Sequence, residues 1–231
     1  MSHAKSASPR RQFLAQVATA AVAVAGTACA APLAAASLSG TRSRAMPFDD
    51  TWTRRVSAAK HRAVFDSPNV EEGLALSHAT FFMQGYKEQF GLGDADVVPV
   101  VIMRHKGTII AFNDILWEKY ALGERYQVKD PATGKDALRN PFIHVDKDDK
   151  TALVSPEASL EGLRASGAVL LACNKAAMRL AGQMATKFNR DAEEVRAEVR
   201  ANVVPGVMLQ PSGIYAVLRA QDAGCGFIKS T

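Results

Sequence analysis

The residue with the clearest chemical potential in this chain is a cysteine that directly follows an apolar run. Residues 168–173 are apolar and end in Cys173, with Asn174 and Lys175 immediately after it. The pattern predicts a buried strand that turns into a helix, so the thiol lies near the positive end of that helix. A positive helix end and a lysine favour the thiolate, which is the reactive form. We predict Cys173 as a catalytic residue and Asn174 and Lys175 as binding residues. The alternative is a small apolar residue that completes a strand.

A histidine follows the second strong apolar run. Residues 97–103 are mostly β-branched, which is typical of a strand buried on both faces of a parallel sheet. His105 comes just after it, between Arg104 and Lys106. An imidazole there can act as acid, base or ligand, and its basic neighbours favour the neutral ring. His105 is a predicted binding residue, and an exposed histidine in a basic turn is the alternative.

Two more groups of polar residues open predicted helices. Asn113 and Asp114 precede Trp117, and we predict these three as binding residues that line a pocket with His105. The alternative is that Asn113 or Asp114 caps the helix while Trp117 packs inward. Ser212 and Gly213 follow the strand-like run 204–209 and are also predicted binding residues, because parallel sheets bind ligands where their strands end.

The sequence predicts no metal site and no cofactor. It contains no CxxC pair, no HExxH pattern, no haem-attachment motif and no glycine-rich phosphate loop. His61 and His144 have no partner at metal-ligand spacing, and His78 lies on the apolar side of a predicted helix, as core histidines do.

Strand-like and helical patterns alternate along most of the chain. Strands are predicted at residues 61–65, 97–103, 168–173, 204–209 and 225–228, and helices at 70–90, 111–122, 159–165, 175–187, 191–202 and 212–222. This alternation predicts an α/β fold with three layers, in which helices cover both faces of a five-stranded, mostly parallel sheet. Residues 123–157 are polar and weakly periodic, and we expect a functional or mobile excursion there.

The N-terminus has the layout of a twin-arginine export signal. Arg10 and Arg11 precede an alanine-rich apolar run that ends in the small residues 34–36. We predict a signal peptide over residues 1–36, a linker over 37–59 and one α/β domain over 60–231. An uncleaved membrane anchor is the alternative, but the run is only weakly hydrophobic. The mature protein is expected in the periplasm, with no stable membrane insertion after cleavage.

Charge and cysteine content exclude two classes of protein. Cleavage removes three basic residues and leaves 25 basic and 23 acidic ones, a net charge of +2, which gives no support for nucleic-acid binding. Only Cys173 and Cys225 remain, so there is no disulfide framework. Cys173 ends a strand whereas Cys225 begins one, which places the two thiols toward opposite ends of a parallel sheet. A disulfide between them is therefore not expected.

The second half of the chain resembles the DsrE/DsrF-like family. The resemblance rests on residues 167–174, which end in Cys173-Asn174, on residues 204–213, which end in Pro-Ser-Gly, and on residues 218–228, where Gly224-Cys225-Gly226-Phe227 leads into the last strand. Residues 60–110 fit more loosely, with His105-Lys106-Gly107 in place of a His-Gly pair.

The resemblance implies a five-stranded α/β/α domain that assembles into trimers or hexamers. It also implies a persulfide on Cys173, and hence a sulfur carrier or transferase whose partner is a sulfur donor or acceptor protein or a small sulfur compound. The cytoplasmic sulfur carriers of the family lack the export signal and the excursion over residues 123–157. We therefore expect an extracytoplasmic role in handling sulfur compounds. The alternative function is a non-catalytic module that binds a small molecule, a metal or haem, lined by His105, Met103 and Trp117.

Overall fold

The computed structural model describes residues 48–231, so the predicted signal peptide and the linker residues 37–47 lie outside the described residues. The described chain forms five strands: β1 (His61–Ser67), β2 (Val97–Met103), β3 (Val169–Cys173), β4 (Val207–Gln210) and β5 (Gly226–Lys229). Its α-helices are α1 (Trp52–Ala58), α2 (Leu74–Phe90), α3 (Asp114–Lys119), α4 (Leu122–Tyr126), α5 (Leu160–Ala165), α6 (Asn174–Lys187), α7 (Ala192–Ala201) and α8 (Gly213–Asp222). Short 3-10 helices lie at Glu71–Gly73, His105–Ala111 and Pro156–Ala158. Between residues 48 and 231, none of the helices has the length and apolar character that crossing a membrane requires.

The five strands form one parallel sheet in the order β4-β3-β2-β1-β5. Every residue of β2 and of β3 is buried. Strands covered on both faces need apolar side chains in both directions, which explains the unbroken apolar runs in these two segments. The predicted α/β fold with helices around a five-stranded sheet is confirmed.

Alternating side chains of the strands build two cores, one on each face of the sheet. On the first face Phe65, Val101 and Leu170 pack with residues of α2, α6 and α7. On the second face Ile102 and Leu171 pack with residues of α1 and α8. The sheet is thus the middle of three layers, and α6 and α8 lie on opposite sides of it.

The domain begins earlier than the sequence predicts. Helix α1 lies inside the segment 37–59 that we expect to be a linker, and it buries Trp52 and Val56 in the second core. These two residues are four apart and so lie on one face of the helix. Because the segment 37–59 is rich in serine and arginine, its overall composition is that of a linker and does not indicate the two apolar residues of this helix.

The excursion is anchored to the domain. Asn140 is fully buried, and its Nδ2 donates hydrogen bonds to the carbonyl oxygens of Ile110 and Phe112 at 2.8 and 2.6 Å. Phe142 and Ile143 are buried in the first core. The segment 123–157 therefore packs on the domain, and the predicted helix 111–122 is replaced by α3 and α4.

Candidate functional site

The chain leaves β3 and β4 in opposite directions, and this opens a crevice at their carboxyl ends. After β3 the chain continues into α6 on the first face of the sheet, and after β4 it continues into α8 on the second face. Ligands of open α/β sheets bind in such crevices, where neighbouring connections diverge and helix N-termini point at the gap.

Cys173 lies at this crevice, as the last residue of β3 and the N-cap of α6. Its Sγ accepts a hydrogen bond from the backbone N–H of Ala176 at 3.4 Å, and the residue is 7% exposed. The thiol therefore takes the place that a serine or aspartate takes in an ordinary helix cap, where free N–H groups favour negative charge.

Helix α8 begins at the other side of the crevice. Ser212 is its N-cap, and its Oγ accepts a hydrogen bond from the backbone N–H of Tyr215 at 3.1 Å. Gly213 follows as the first residue of the helix. The N-termini of α6 and α8 thus meet at the ends of two adjacent strands.

A pocket of about 510 Å³ opens between these two helices. It is lined by Arg104, His105, Cys173, Lys175, Ala176, Arg179, Ser212, Gly213 and Ile214. The lining contains three permanently charged side chains, which are two arginines and a lysine, and it contains no carboxylate. The pocket is therefore suited to an anion beside the sulfur of Cys173.

Arg104 is fixed in this pocket by Asp66. Its Nε and Nη2 donate to the two carboxylate oxygens at 2.6 and 2.7 Å, and Asp66 is buried. The hydrogen bond with Asp66 is the largest cause that raises the pKa of Arg104, opposed by partial burial of the guanidinium. A two-point contact of this kind holds the plane of the guanidinium as well as its charge.

Arg104, Cys173 and Gln210 form a row across three neighbouring strands. Cys173 and Gln210 are register partners. Met103 pairs with Ala172, so the next residues, Arg104 and Cys173, also lie side by side. Side chains alternate along a strand, and all three residues of the row point to the face that α8 covers.

Gln210 is fully buried at the end of this row. Its Nε2 donates to the carbonyl oxygen of Asp49 at 2.8 Å, and its buried Oε1 has no hydrogen-bond partner within residues 48–231. Gln210 thus ties the end of β4 to the residues before α1. The sequence offers no signal for this contact, since it joins positions far apart in the chain.

His105 lies at the rim of the pocket in a left-handed backbone conformation, with φ of 53°. Its Nδ1 is 3.1 Å from Nη2 of Arg179. Arginine can only donate, so Nδ1 of His105 is the acceptor of this hydrogen bond. The contact joins the turn after β2 to α6.

Trp117 and Met103 do not line this pocket. Both side chains are fully buried in the first core, and the indole Nε1 of Trp117 donates to the carbonyl oxygen of Ile109 at 3.1 Å. This corrects the prediction that Trp117 lines a pocket with His105, and it removes Met103 and Trp117 from the predicted ligand-binding alternative. Trp117 instead packs inward, which is the alternative that the sequence left open.

Asn113 and Asp114 also lie outside the pocket. Asn113 precedes α3 as its N-cap, but its Nδ2 donates to Oδ1 of Asn202 at 2.9 Å and its side chain caps nothing. Asp114 Oδ1 accepts a hydrogen bond from the backbone N–H of Asn140 at 2.8 Å. Both side chains hold neighbouring segments in place and do not line a pocket with His105 as predicted. Asp114 lines a separate pocket of about 880 Å³ with Lys129 and Arg139.

The structure brings five of the predicted site residues to one pocket, namely Cys173, His105, Lys175, Ser212 and Gly213. Asn174 begins α6 beside it but is not part of the lining. Arg104 and Arg179 are lining residues that the sequence analysis did not single out. Arg179 lies four residues after Lys175, which is one helical turn, and this spacing is the signal that could have found it.

Cys225 lies far from the pocket. It precedes β5, whose first residue pairs with Ala63 near the start of β1, whereas Cys173 ends its strand. Both thiols are free, and burial raises the pKa of Cys225 to about 11. Cys225 is therefore an unreactive apolar residue at neutral pH.

Metal ligands are not clustered in this domain. Among residues 48–231, no three or more His, Cys, Asp or Glu side chains are grouped so that they could hold a metal ion. His61 stacks on Tyr86 at 4.1 Å between ring centroids, and His78 Nδ1 is 3.2 Å from Ser230 Oγ. These histidines have structural partners.

No protein-family model, no curated protein and no solved structure matches this chain. The resemblance to the DsrE/DsrF-like family therefore stays a prediction, and the chemistry of the pocket is argued from its own residues.

Proposed function

We propose that this protein is an extracytoplasmic, DsrE-like sulfur-handling protein that binds or relays sulfane sulfur on Cys173. The observation that carries the proposal is the position of the Cys173 sulfur, at the N-terminus of α6 and in a pocket whose permanent charges are all positive. A persulfide is an anion at neutral pH, and helix N–H groups and nearby cations stabilise it.

Loading of the sulfur follows ordinary thiol–disulfide chemistry. The Cys173 thiolate attacks a sulfane sulfur of a polysulfide, the S–S bond to the rest of the polysulfide breaks, and a shorter polysulfide anion leaves. Cys173 then carries the persulfide, and no further oxidant is needed. Lys175 and Arg179 supply positive charge to the incoming and leaving anions, and Arg104, whose charge Asp66 balances, is held beside them as a hydrogen-bond donor.

The periplasmic location, the protein or small-molecule sulfur partner and the assembly into trimers or hexamers belong to the same proposal. The location is supported by the twin-arginine pattern around Arg10 and Arg11. The oligomer is supported by the resemblance alone.

Mass spectrometry of the purified protein tests the proposal. After incubation with polysulfide, we expect one added sulfur atom on the peptide that contains Cys173, and none after the substitution Cys173→Ala. Cys225→Ala is the matched control and should load normally, since Cys225 lies at the other end of the sheet. Loading of Cys173→Ala to the level of the unchanged protein would exclude the proposed site.

A non-catalytic module that holds a small anion is the second candidate, and the cationic lining of the same pocket favours it. The two functions differ in their dependence on sulfur. A binding module should keep its affinity for an anion such as sulfite in Cys173→Ser, whereas a carrier loses its covalent product in that variant. Binding without any covalent product in the unchanged protein would favour the second candidate.

A further inference from the structure

We propose that an acidic protein surface docks over the mouth of the Cys173 pocket, on a face formed by two helices, and that it exchanges sulfur with Cys173 there. The docking face consists of Lys175 and Arg179 of α6 and of Ile214, Tyr215 and Leu218 of α8. This inference rests on the proposed function, because it names the kind of partner that the sulfur on Cys173 meets.

The apolar part of the docking face lies on α8. Ile214 and Leu218 are 59% and 56% exposed, and they are four residues apart on one side of the helix. Ile214 also lines the pocket, so the exposed apolar surface continues into the opening above Cys173. Adjacent exposed aliphatic residues at the mouth of a site mark a surface that contacts another molecule.

The charged part of the docking face is positive. Lys175 and Arg179 are exposed, and neither has a carboxylate partner among residues 48–231. Arg219 of α8, by contrast, is paired with Asp50. Unpaired positive charge at the rim of an apolar patch favours a partner with negative charge at the matching positions.

The same charges disfavour a second copy of this chain as the occupant. A two-fold contact in which this face meets itself would bring Lys175 and Arg179 close to the lysine and arginine of the other copy. Like charges that face each other at an interface repel and weaken the contact. A different protein with acidic residues around an apolar contact, and with a thiol that reaches the pocket, meets no such repulsion, and we take this as the partner.

Sulfur transfer across this face exchanges one S–S bond for another and needs no oxidant or reductant. A thiolate of the partner attacks the outer sulfur of the Cys173 persulfide, the S–S bond on Cys173 breaks, and Cys173 leaves as a thiolate. The partner's cysteine becomes the persulfide, and no electron donor or acceptor is consumed. Because Cys173 is only 7% exposed, the attacking thiol has to enter the pocket, where the docking face positions it.

Two synthetic peptides provide the test. Each has one cysteine and the same apolar residues, and the cysteine is flanked by glutamates in one and by lysines in the other. The protein is first loaded with polysulfide, and transfer to each peptide is followed by mass spectrometry. We expect the acidic peptide to accept sulfur about tenfold faster at low salt, with the difference shrinking as salt screens the charges.

A pair of variants on the full chain separates docking from chemistry. Leu218→Glu places a negative charge on the docking face, outside the pocket lining, and should slow transfer to the acidic peptide about tenfold while polysulfide loading is unchanged. Leu138→Glu is the matched control, since Leu138 is 73% exposed in the segment 123–157 and lies outside the docking face. It should behave like the unchanged protein in both assays.

The outcomes distinguish this inference from the function on which it rests. Failure of the unchanged protein to load sulfur overturns the proposed function and the docking face together. Normal loading with equal transfer to both peptides overturns the docking face alone. Equal effects of Leu218→Glu and Leu138→Glu also overturn it, because they would assign the effect to net charge rather than to this face.

Discussion

Arg104 packs so closely against Gly213 that a Cβ atom at position 213 would lie 2.4 Å from the Cβ of Arg104. Gly213 is the first residue of α8, and Arg104 is the residue that Asp66 holds in the Cys173 pocket. The close approach joins the start of α8 to the end of β2. A side chain at position 213 would have to displace the arginine or the helix.

Gly213→Ala should therefore both destabilise the domain and weaken sulfur loading. Overpacking a close contact costs about 1–3 kcal/mol, and the displaced Arg104 would no longer present its N–H groups to the pocket. Urea unfolding and the rate of polysulfide loading measure the two effects. Gly182→Ala in α6 is the control, because a Cβ there meets nothing within 4 Å, and it should be neutral or slightly stabilising. Identical behaviour of the two variants would refute the packing argument.

Asp66→Asn should leave Arg104 without its buried counter-charge. Asp66 is buried but Arg104 is partly exposed to the pocket, so losing their charge-assisted hydrogen bonds should cost about 2 kcal/mol. Chemical denaturation should show this loss for Asp66→Asn. Asp136→Asn, which removes the partner of the exposed Lys129, should cost less than about 1 kcal/mol. A similar cost for both substitutions would contradict the special role of the Asp66–Arg104 pair.

Glu198 should make the stability of the domain fall in acid. Burial acts to raise the pKa of Glu198, but hydrogen bonds from Lys119, Arg190 and Tyr120 outweigh it and lower the pKa to about 2. The unfolded value is about 4.5. The stabilisation is therefore fully present above pH 4.5 and is lost as the pH falls toward 2.

Urea unfolding across this pH range measures the effect of Glu198 by comparison with Glu198→Gln. The free-energy difference between the two proteins should be on the order of 2–3 kcal/mol at pH 7 and should shrink steadily from about pH 4.5 downward. A difference that stays constant with pH would assign the effect to packing rather than to the ionised carboxylate.

The two cysteines should react with iodoacetamide at very different rates. Burial holds the pKa of Cys225 at about 11, so at pH 8 only about one thiol in a thousand is ionised at that position. Cys173 lies in a pocket that is open to solvent, so peptide mapping should find it labelled at least about tenfold faster in the native protein. In urea the two rates should converge. Faster labelling of Cys225 in the native protein would contradict this assignment.

The strands could be predicted because their apolar runs are local. Residues 97–103 were predicted as a strand, and β2 has these same bounds. The order of the strands could not be predicted, because it depends on which face of the sheet each connecting helix crosses. Alternation alone predicts a parallel sheet but does not place β5 beside β1.

The site could be predicted only where a residue follows its own strand. Cys173, His105 and Ser212 meet because three strands end at one edge of the sheet. The role of Trp117 was misassigned because the acceptor of its indole N–H, the carbonyl of Ile109, becomes visible only in the folded chain. Asn140 was missed for the same reason, since its two carbonyl acceptors lie about 30 residues away.

Intact and peptide mass spectrometry of the protein, isolated from its native compartment without reductant, would detect the Cys173 persulfide itself. We expect one added sulfur on the Cys173 peptide and an unmodified Cys225 peptide. An unmodified Cys173 that also takes up no sulfur from polysulfide would contradict the account and leave anion binding as the function of the pocket.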